Sequence, residues 1–240
     1  NNAVRLLIDL DLNRIIQLFF LHGALIALFL YLSFKILQRN IKRINLLFSL
    51  FYLTNCLAVI LNMVYALLFV NPLVLILAYS TVYLVCYAPV FILLIMIELS
   101  HSNPDFKSSK LVLIALIYTL SLSSIYFFLP LGGITINYST NWYPIWSSNF
   151  LIFVLFFLSF GILAPTFYLA FKVYAKFKDE TLRKRWIYFL VSFAGFMFYV
   201  YANFISNYVL GDIAYILMTI AFIILVPSIL ITYYSIGKRL

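Results

Sequence analysis

Few residues of this sequence belong to the types that carry chemistry inside an apolar environment. His22 is the one histidine within an apolar stretch, where an imidazole can titrate or bind a ligand, or serve only as a hydrogen-bonded structural group. Its helix offers no His, Cys, Asp or Glu partner at the spacing of metal ligands. Cys56 and Cys86 also fall in apolar stretches, where they behave as small hydrophobes. We therefore expect neither a metal site nor a cofactor.

Motifs of catalysis are missing as well. The sequence has no Gly-x-Ser-x-Gly, no His-Glu-x-x-His and no glycine-rich phosphate loop, and Gly211-Asp212 has no second aspartate within an apolar stretch. Glu98 lies beside His101 and a basic connection, which favours a surface ion pair. The sequence thus predicts no catalytic residue and a protein that is not an enzyme.

Polar and aromatic residues recur at one depth of the apolar stretches, in the half that the topology below places outside the cell. Tyr79, Tyr83 and Tyr87 are spaced i, i+4, i+8 on one stretch, and Asn203 and Asn207 repeat that spacing on another. Such stripes supply either interhelical hydrogen bonds or the wall of a binding site. We predict a ligand-binding cavity among helices one, two, three, six and seven, with these candidate residues: His22, Asn62, Tyr65, Tyr79, Tyr83, Tyr199, Asn203 and Tyr215.

The composition defines the solvent in which these residues must be positioned. Hydrophobic residues make up 66% of the chain and charged residues 10%, with a mean hydropathy of +1.10, whereas a soluble domain carries about a quarter charged residues. The net charge of +9 comes from short clusters between apolar runs and forms no continuous basic face, which argues against nucleic-acid binding. The lipid bilayer is the predicted surrounding of most of the chain.

Seven apolar runs are long enough to cross a bilayer, since a helix needs about 20 residues for a hydrocarbon core of roughly 30 Å. Helices are expected because lipid offers backbone groups no hydrogen-bond partner. The fold class is therefore all-α, a single seven-helix transmembrane domain over residues 1–240, with helices at Arg14 to Leu37, Ile44 to Val70, Leu73 to Leu99, Leu111 to Leu129, Asn149 to Val173, Trp186 to Val209 and Ile213 to Ile236.

The connections predict the orientation. All basic residues except Arg5 and Arg14 lie in or beside the connections after helices one, three and five or at the end of the chain. The opposite connections contain no Lys or Arg, so the positive-inside rule places the carboxyl terminus in the cytoplasm and, with an odd number of helices, the amino terminus outside. We predict a multi-pass protein of the cell membrane.

Two further features bear on a ligand site. The outer connection from Pro130 to Ser148 is rich in turn residues and aromatic rings, which suits either a lid or an aromatic belt at the headgroups. Pro89, Pro165 and Pro227 lie inside predicted helices, where the missing N–H donor favours kinks.

Familiar seven-helix receptors do not match. No Lys lies within helix seven, so a retinal Schiff base has no residue on which to form. Helix three ends Glu98-Leu99-Ser100 in place of an acidic-Arg-Tyr triplet, and Leu225-Val226-Pro227-Ser228 in helix seven lacks an Asn-Pro-x-x-Tyr motif.

The pattern from Pro165 to Leu240 instead resembles the amino-terminal seven-helix sensor region of bacterial and archaeal histidine kinases. The resemblance rests on the basic connection Lys176 to Arg185, on Phe189-Leu190-Val191 opening helix six, on the short turn Leu210-Gly211-Asp212, and on helix seven from Ala221 through Pro227 to Ser235. It implies a sensor whose seventh helix leads toward cytoplasmic signalling domains. The sequence ends at Leu240 without a phospho-accepting His segment or an ATP-binding domain.

Three function classes follow. The first is a receptor that binds a small or lipophilic molecule in its outer half and signals to a cytoplasmic partner or domain. The second is a small transporter or transporter subunit, although the sequence has no acidic residue at mid-membrane for ion coupling and no convincing internal repeat. The third is a structural or assembly protein of the membrane. A homodimer is compatible with all three.

Overall fold

The computed structural model describes residues 16–38, 42–68, 72–101, 108–140, 142–209 and 211–236. Within these residues it is all-α, with seven helices long and apolar enough to cross a membrane, as the apolar runs predicted. Their bounds are, for α1, a π-helical turn Ile16–Leu21 and His22–Leu37; for α2, Arg43–Leu67; for α3, Leu73–Ser100; for α4, Ser108–Ser123 and a 3₁₀ turn Ser124–Phe128; for α5, Ser148–Phe156, a π-helical segment Phe157–Leu163 and Ala164–Lys176; for α6, Glu180–Val209; and for α7, Gly211–Ile236.

Helix α6 begins six residues before the predicted start at Trp186. A hydropathy window excludes the charged residues there, but the backbone continues as a helix through them. Asp179 Oδ1 accepts a hydrogen bond from Thr181 N at 2.8 Å, which caps the first turn, and Glu180 pairs with Lys184 at 2.9 Å one turn later. The basic connection between α5 and α6 is therefore mostly helix.

Helix α5 changes from α to π geometry just before its proline. Pro165 has no N–H, so the carbonyl of Gly161, four residues earlier, loses its usual helical donor. The Tyr118 hydroxyl of α4 donates to that carbonyl at 2.6 Å. The freed backbone group thus joins α5 to α4.

Helix α3 is the central element of the bundle. Of its apolar stretch 56% is buried, against 17% for α4 and 22% for α7, and it packs against α2, α4 and α5. Helices α6 and α7 form a second tightly packed unit. At Gly195 of α6 a methyl group would overlap the Ser228 hydroxyl of α7, so the two backbones approach as closely as only glycine allows.

Polar contacts identify one end of the bundle, which we call the basic end. Arg43, at the start of α2, pairs with Glu98 near the end of α3 at 3.1 Å, which supplies the ion pair expected for that glutamate. Lys176, at the end of α5, donates to the Ser100 carbonyl at 2.6 Å. The first turns of α2 and the last turns of α3 and α5 therefore meet there.

The opposite end carries a small β-hairpin, so we call it the hairpin end. Strands β1 (Ile134–Thr135) and β2 (Ile145–Trp146) pair antiparallel in the connection between α4 and α5, with Ile134 opposite Trp146. Both of those side chains are buried. The connection is therefore folded into the end of the bundle.

Tyr79 of α3 fastens the base of this hairpin. Its hydroxyl donates to the Phe128 carbonyl and accepts from Ile134 N, each at 2.9 Å. Gly133 sits against the same hydroxyl, where a Cβ atom would come within 2.7 Å of it. The close approach requires glycine.

Candidate functional site

A cavity of about 160 Å³ lies at the hairpin end, between the helices and the hairpin. Helices α1, α2, α3, α6 and α7 contribute to its wall, which are the five helices that the sequence predicted. The hairpin supplies the rest of the wall. The cavity is lined by His22, Leu25, Phe29, Asn55, Ala58, Val59, Asn62, Tyr65, Ala66, Ala78, Thr81, Val82, Val85, Ile134, Trp142, Tyr143, Pro144, Trp146, Phe196, Tyr199, Val200, Asn203, Phe204, Asn207 and Leu225.

Five of the eight predicted site residues meet at this cavity: His22, Asn62, Tyr65, Tyr199 and Asn203. They come from α1, α2 and α6, so residues far apart in the sequence share one wall.

The other three predicted residues do not line this cavity. Tyr79 is fully buried against the hairpin base. Tyr83 stacks on Tyr87 at 5.9 Å between ring centroids and contacts Tyr126, so this face of α3 is turned toward α4. Tyr215 is 74% exposed on the outside of α7. Depth along a helix was predictable from the sequence, whereas the direction in which each face points was not.

His22 and Asn62 join α1 to α2 at the cavity wall. His22 Nε2 and Asn62 Nδ2 are 3.3 Å apart. An amide nitrogen only donates, so with this amide orientation Nε2 accepts and the neutral ring carries its proton on Nδ1. Nδ1 is buried without a hydrogen-bond partner in the part of the chain that the structure describes. The imidazole therefore combines a structural contact with one unsatisfied donor.

Helix α6 presents a polar stripe to the same space. Tyr199, Asn203 and Asn207 are spaced i, i+4, i+8 and all line the cavity. None of the three side chains has a hydrogen-bond partner among the described residues, and none of their polar atoms is sealed from the surrounding space. An amide group offers two donors and an acceptor, so the stripe has hydrogen-bonding groups that no described residue uses.

The opposite end of the cavity is closed by aromatic rings, which we call the aromatic floor: Phe29, Phe48, Phe51, Tyr52 and Phe196. Neighbouring rings of this set lie 5.1 to 6.3 Å apart between centroids, in tilted or edge-to-face arrangements. Each ring is at most 3% exposed. Asn55, a polar lining residue one turn from Phe51, donates to the Phe51 carbonyl of its own helix at 2.8 Å.

A second space, which we call the vestibule, adjoins the cavity beside the hairpin. Its volume is about 500 Å³, and Tyr143, Pro144, Asn203 and Asn207 line both spaces. The vestibule lies between the hairpin and the first turns of α7. It is lined by Ser139, Thr140, Tyr143, Pro144, Ile145, Asn203, Ser206, Asn207, Gly211, Ala214 and Met218.

The chemistry of the cavity is neutral. Its described lining contains no Asp, Glu, Lys or Arg. No group of three His, Cys, Asp or Glu side chains that could hold a metal occurs in the described ranges. The arrangement can bind a molecule through hydrogen bonds and aromatic contacts, and it offers no charged group for ionic recognition.

Several lining residues were missed by the sequence reasoning. Asn207 was recognisable, because it repeats the spacing of Asn203. Trp142, Tyr143 and Trp146 were recognised as an aromatic cluster, but their folding onto the cavity depends on the Tyr79 contact with the hairpin. Thr81 and Asn55 carried no signal that distinguishes them from other polar residues in helices.

No known protein family's sequence profile matches this chain, and neither does any curated protein or solved structure in the comparisons made.

Proposed function

We propose that the protein is a membrane-embedded sensor that binds a small molecule in the cavity and passes the signal to a cytoplasmic partner or domain. The observation that carries the proposal is the α6 stripe: three polar side chains line a cavity beneath a folded hairpin and keep unused hydrogen-bonding groups. These groups are open to the cavity, so a molecule bound there can accept from and donate to them.

The proposal includes an orientation. The basic end lies in the cytoplasm by the positive-inside rule, and the cavity and hairpin then face outward. Ligands would enter from outside through the vestibule. The hairpin serves as the lid that the aromatic connection predicted as one of two alternatives.

Signal transfer is assigned to the α6–α7 unit. Helix α6 contributes the polar stripe and α7 contributes Leu225 to the cavity. Toward the basic end, Gly195 packs against Ser228, and Thr232 Oγ1 donates to Ser192 Oγ at 2.9 Å. Such close packing moves as one body, so a displacement at the cavity reaches the basic end. The resemblance to kinase sensor regions, strongest over these two helices, supports the same direction of signalling.

The transporter alternative has less support. A transport path must continue from the cavity to the other side of the bilayer. The aromatic floor occupies that position, and Tyr52 further links α2 to α7 by a hydrogen bond to the Ile229 carbonyl at 3.3 Å. Filled packing of this kind favours a binding site with one entrance.

The two functions are separated by measuring binding and uptake with the same compounds. The purified protein in nanodiscs is screened with a library of neutral compounds of small size, and hydrogen exchange is followed at the basic ends of α6 and α7. If the protein is a sensor, binding of a compound changes the rate of amide hydrogen exchange at those ends. Liposomes that contain the protein then do not accumulate the radiolabelled compound. Saturable uptake into the liposomes would favour the transporter function over the sensor function.

A further inference from the structure

The cavity is polar at its upper wall and apolar at its floor. His22, Asn62, Asn203 and Asn207 lie near the hairpin, whereas Phe29 and Phe196 lie about two turns deeper along their helices. A molecule that fills the cavity therefore meets hydrogen-bonding groups at one end and aromatic rings at the other. Its two ends must differ in the same way.

The lining also limits the charge of the occupant. A charged group in a low-dielectric site is costly unless a charge of opposite sign or several hydrogen bonds compensate it. The described lining offers no such charge. An uncharged ligand is favoured over an anion or a cation of the same shape.

The volume limits its size. A cavity of about 150 Å³ in a protein core holds one benzene molecule, and this cavity measures about 160 Å³. One aromatic ring or a short branched chain with a single polar substituent fits. A fused multi-ring molecule does not fit unless the vestibule takes part of it.

From these three properties we infer that the ligand is a compact, uncharged amphipathic molecule, with one ring-sized apolar part on the aromatic floor and one hydrogen-bonding group at Asn203 and Asn207. This inference rests on the proposed ligand-binding function. The amides can donate and accept, so a hydroxyl, carbonyl or amide group satisfies them. Tyr199 contributes a third polar contact on the same helix face.

The test uses four benzene derivatives of nearly equal size with the full chain in nanodiscs: 4-fluorobenzyl alcohol, 4-fluorotoluene, 4-fluorobenzoate and 4-fluorobenzylammonium. Fluorine-19 NMR titration against protein-free nanodiscs separates saturable binding from partition into lipid. The neutral alcohol should bind most tightly. Fluorotoluene lacks the hydrogen-bonding group, so its affinity should be about threefold to tenfold lower than that of the alcohol. Both ions should also bind more weakly than the alcohol.

Variants locate the binding. Asn203→Leu should reduce alcohol affinity by about threefold to tenfold while leaving fluorotoluene affinity nearly unchanged. Tyr201→Phe is the matched control for Tyr199→Phe on the same helix, because the Tyr201 hydroxyl lies 2.5 Å from the Ser159 hydroxyl and does not line the cavity. Tyr199→Phe should lower affinity for the alcohol, and Tyr201→Phe should not.

The outcomes separate the two proposals. Binding of either ion, or of fluorotoluene, as tightly as the alcohol overturns the inferred ligand class but leaves a ligand-binding cavity in place. The absence of saturable binding by all four compounds contradicts the cavity as a site for small molecules, and with it the proposed function.

Discussion

The two halves of the bundle fill their interior differently. The basic half is packed with rings and closely approaching helices, including Phe51, Phe189 and Phe193, all at most 2% exposed. The hairpin half encloses a cavity, and the polar stripe of α6 faces it without partners in the described structure. Close packing gives stability and transmits movement, whereas unfilled space with unsatisfied polar groups costs stability and allows binding. The basic half therefore stabilises the bundle, and the hairpin half is the part proposed to bind a ligand.

The largest effect is expected where the packing is densest. Phe51→Ala removes a ring whose centroid lies 5.2 Å from that of Phe196 and 5.1 Å from that of Tyr52. The substitution should lower the free energy of unfolding by about 3 to 5 kcal/mol. Reversible denaturation in mixed micelles measures this. A loss no larger than that of an exposed control such as Phe160→Ala, whose side chain is 67% exposed, would mean that the floor is not tightly packed.

The second effect concerns the α6–α7 unit. Gly195→Ala forces a methyl group against the Ser228 hydroxyl and should cost about 1 to 3 kcal/mol. Adding Ser228→Gly removes the opposing side chain and should restore part of that loss. Thermal unfolding of the two single variants and the double variant gives the coupling, and strictly additive effects would argue against direct contact.

The third effect is a weakened hairpin. Tyr79→Phe removes the hydroxyl that bridges Phe128 O and Ile134 N, each hydrogen bond contributing about 0.6 to 2 kcal/mol. Amides of the hairpin should exchange faster with deuterium, while those of α6 near Gly195 should not change. Tyr83→Phe is the control from the same helix stripe. Equal rates of hairpin amide exchange in the two variants would show that the Tyr79 hydroxyl does not stabilise the hairpin.

The smallest effect on stability is expected at the polar stripe. Asn203→Leu replaces an amide without a described partner by an apolar side chain of similar size. The free energy of unfolding should therefore change by less than about 0.5 kcal/mol, or increase. A loss of stability comparable to that of Tyr79→Phe would identify Asn203 as an interhelical hydrogen-bonding residue. The comparison between the halves would then no longer hold.

The sequence predicted the helices more completely than the site, for a physical reason. Apolar runs of bilayer length determine the spans, because lipid excludes other backbone structures, and the seven runs all appear as helices. The early start of α6 was missed, because four of the six residues from Glu180 to Arg185 are charged and their helix begins at the Asp179 cap. Helix ends depend on local hydrogen bonds that hydropathy does not report.

The site was predicted in part because depth and facing carry different information. Position along a helix follows from residue number, and it brought His22, Asn62 and Asn203 to one level. The direction in which a helix face points depends on packing against neighbouring helices. A helix that is apolar on all sides gives no sequence signal for that direction. Tyr83 has the same depth as the cavity residues but packs toward α4, since its stripe meets the ring of Tyr126 there.

An experimental structure of the protein purified from its native membrane tests the central claim most directly. The account predicts nonprotein density in the cavity, with an atom within hydrogen-bonding distance of Asn203 or Asn207 and an apolar part against Phe29 and Phe196. A filled cavity, with those two amides bonded to neighbouring side chains and no added density, would contradict it.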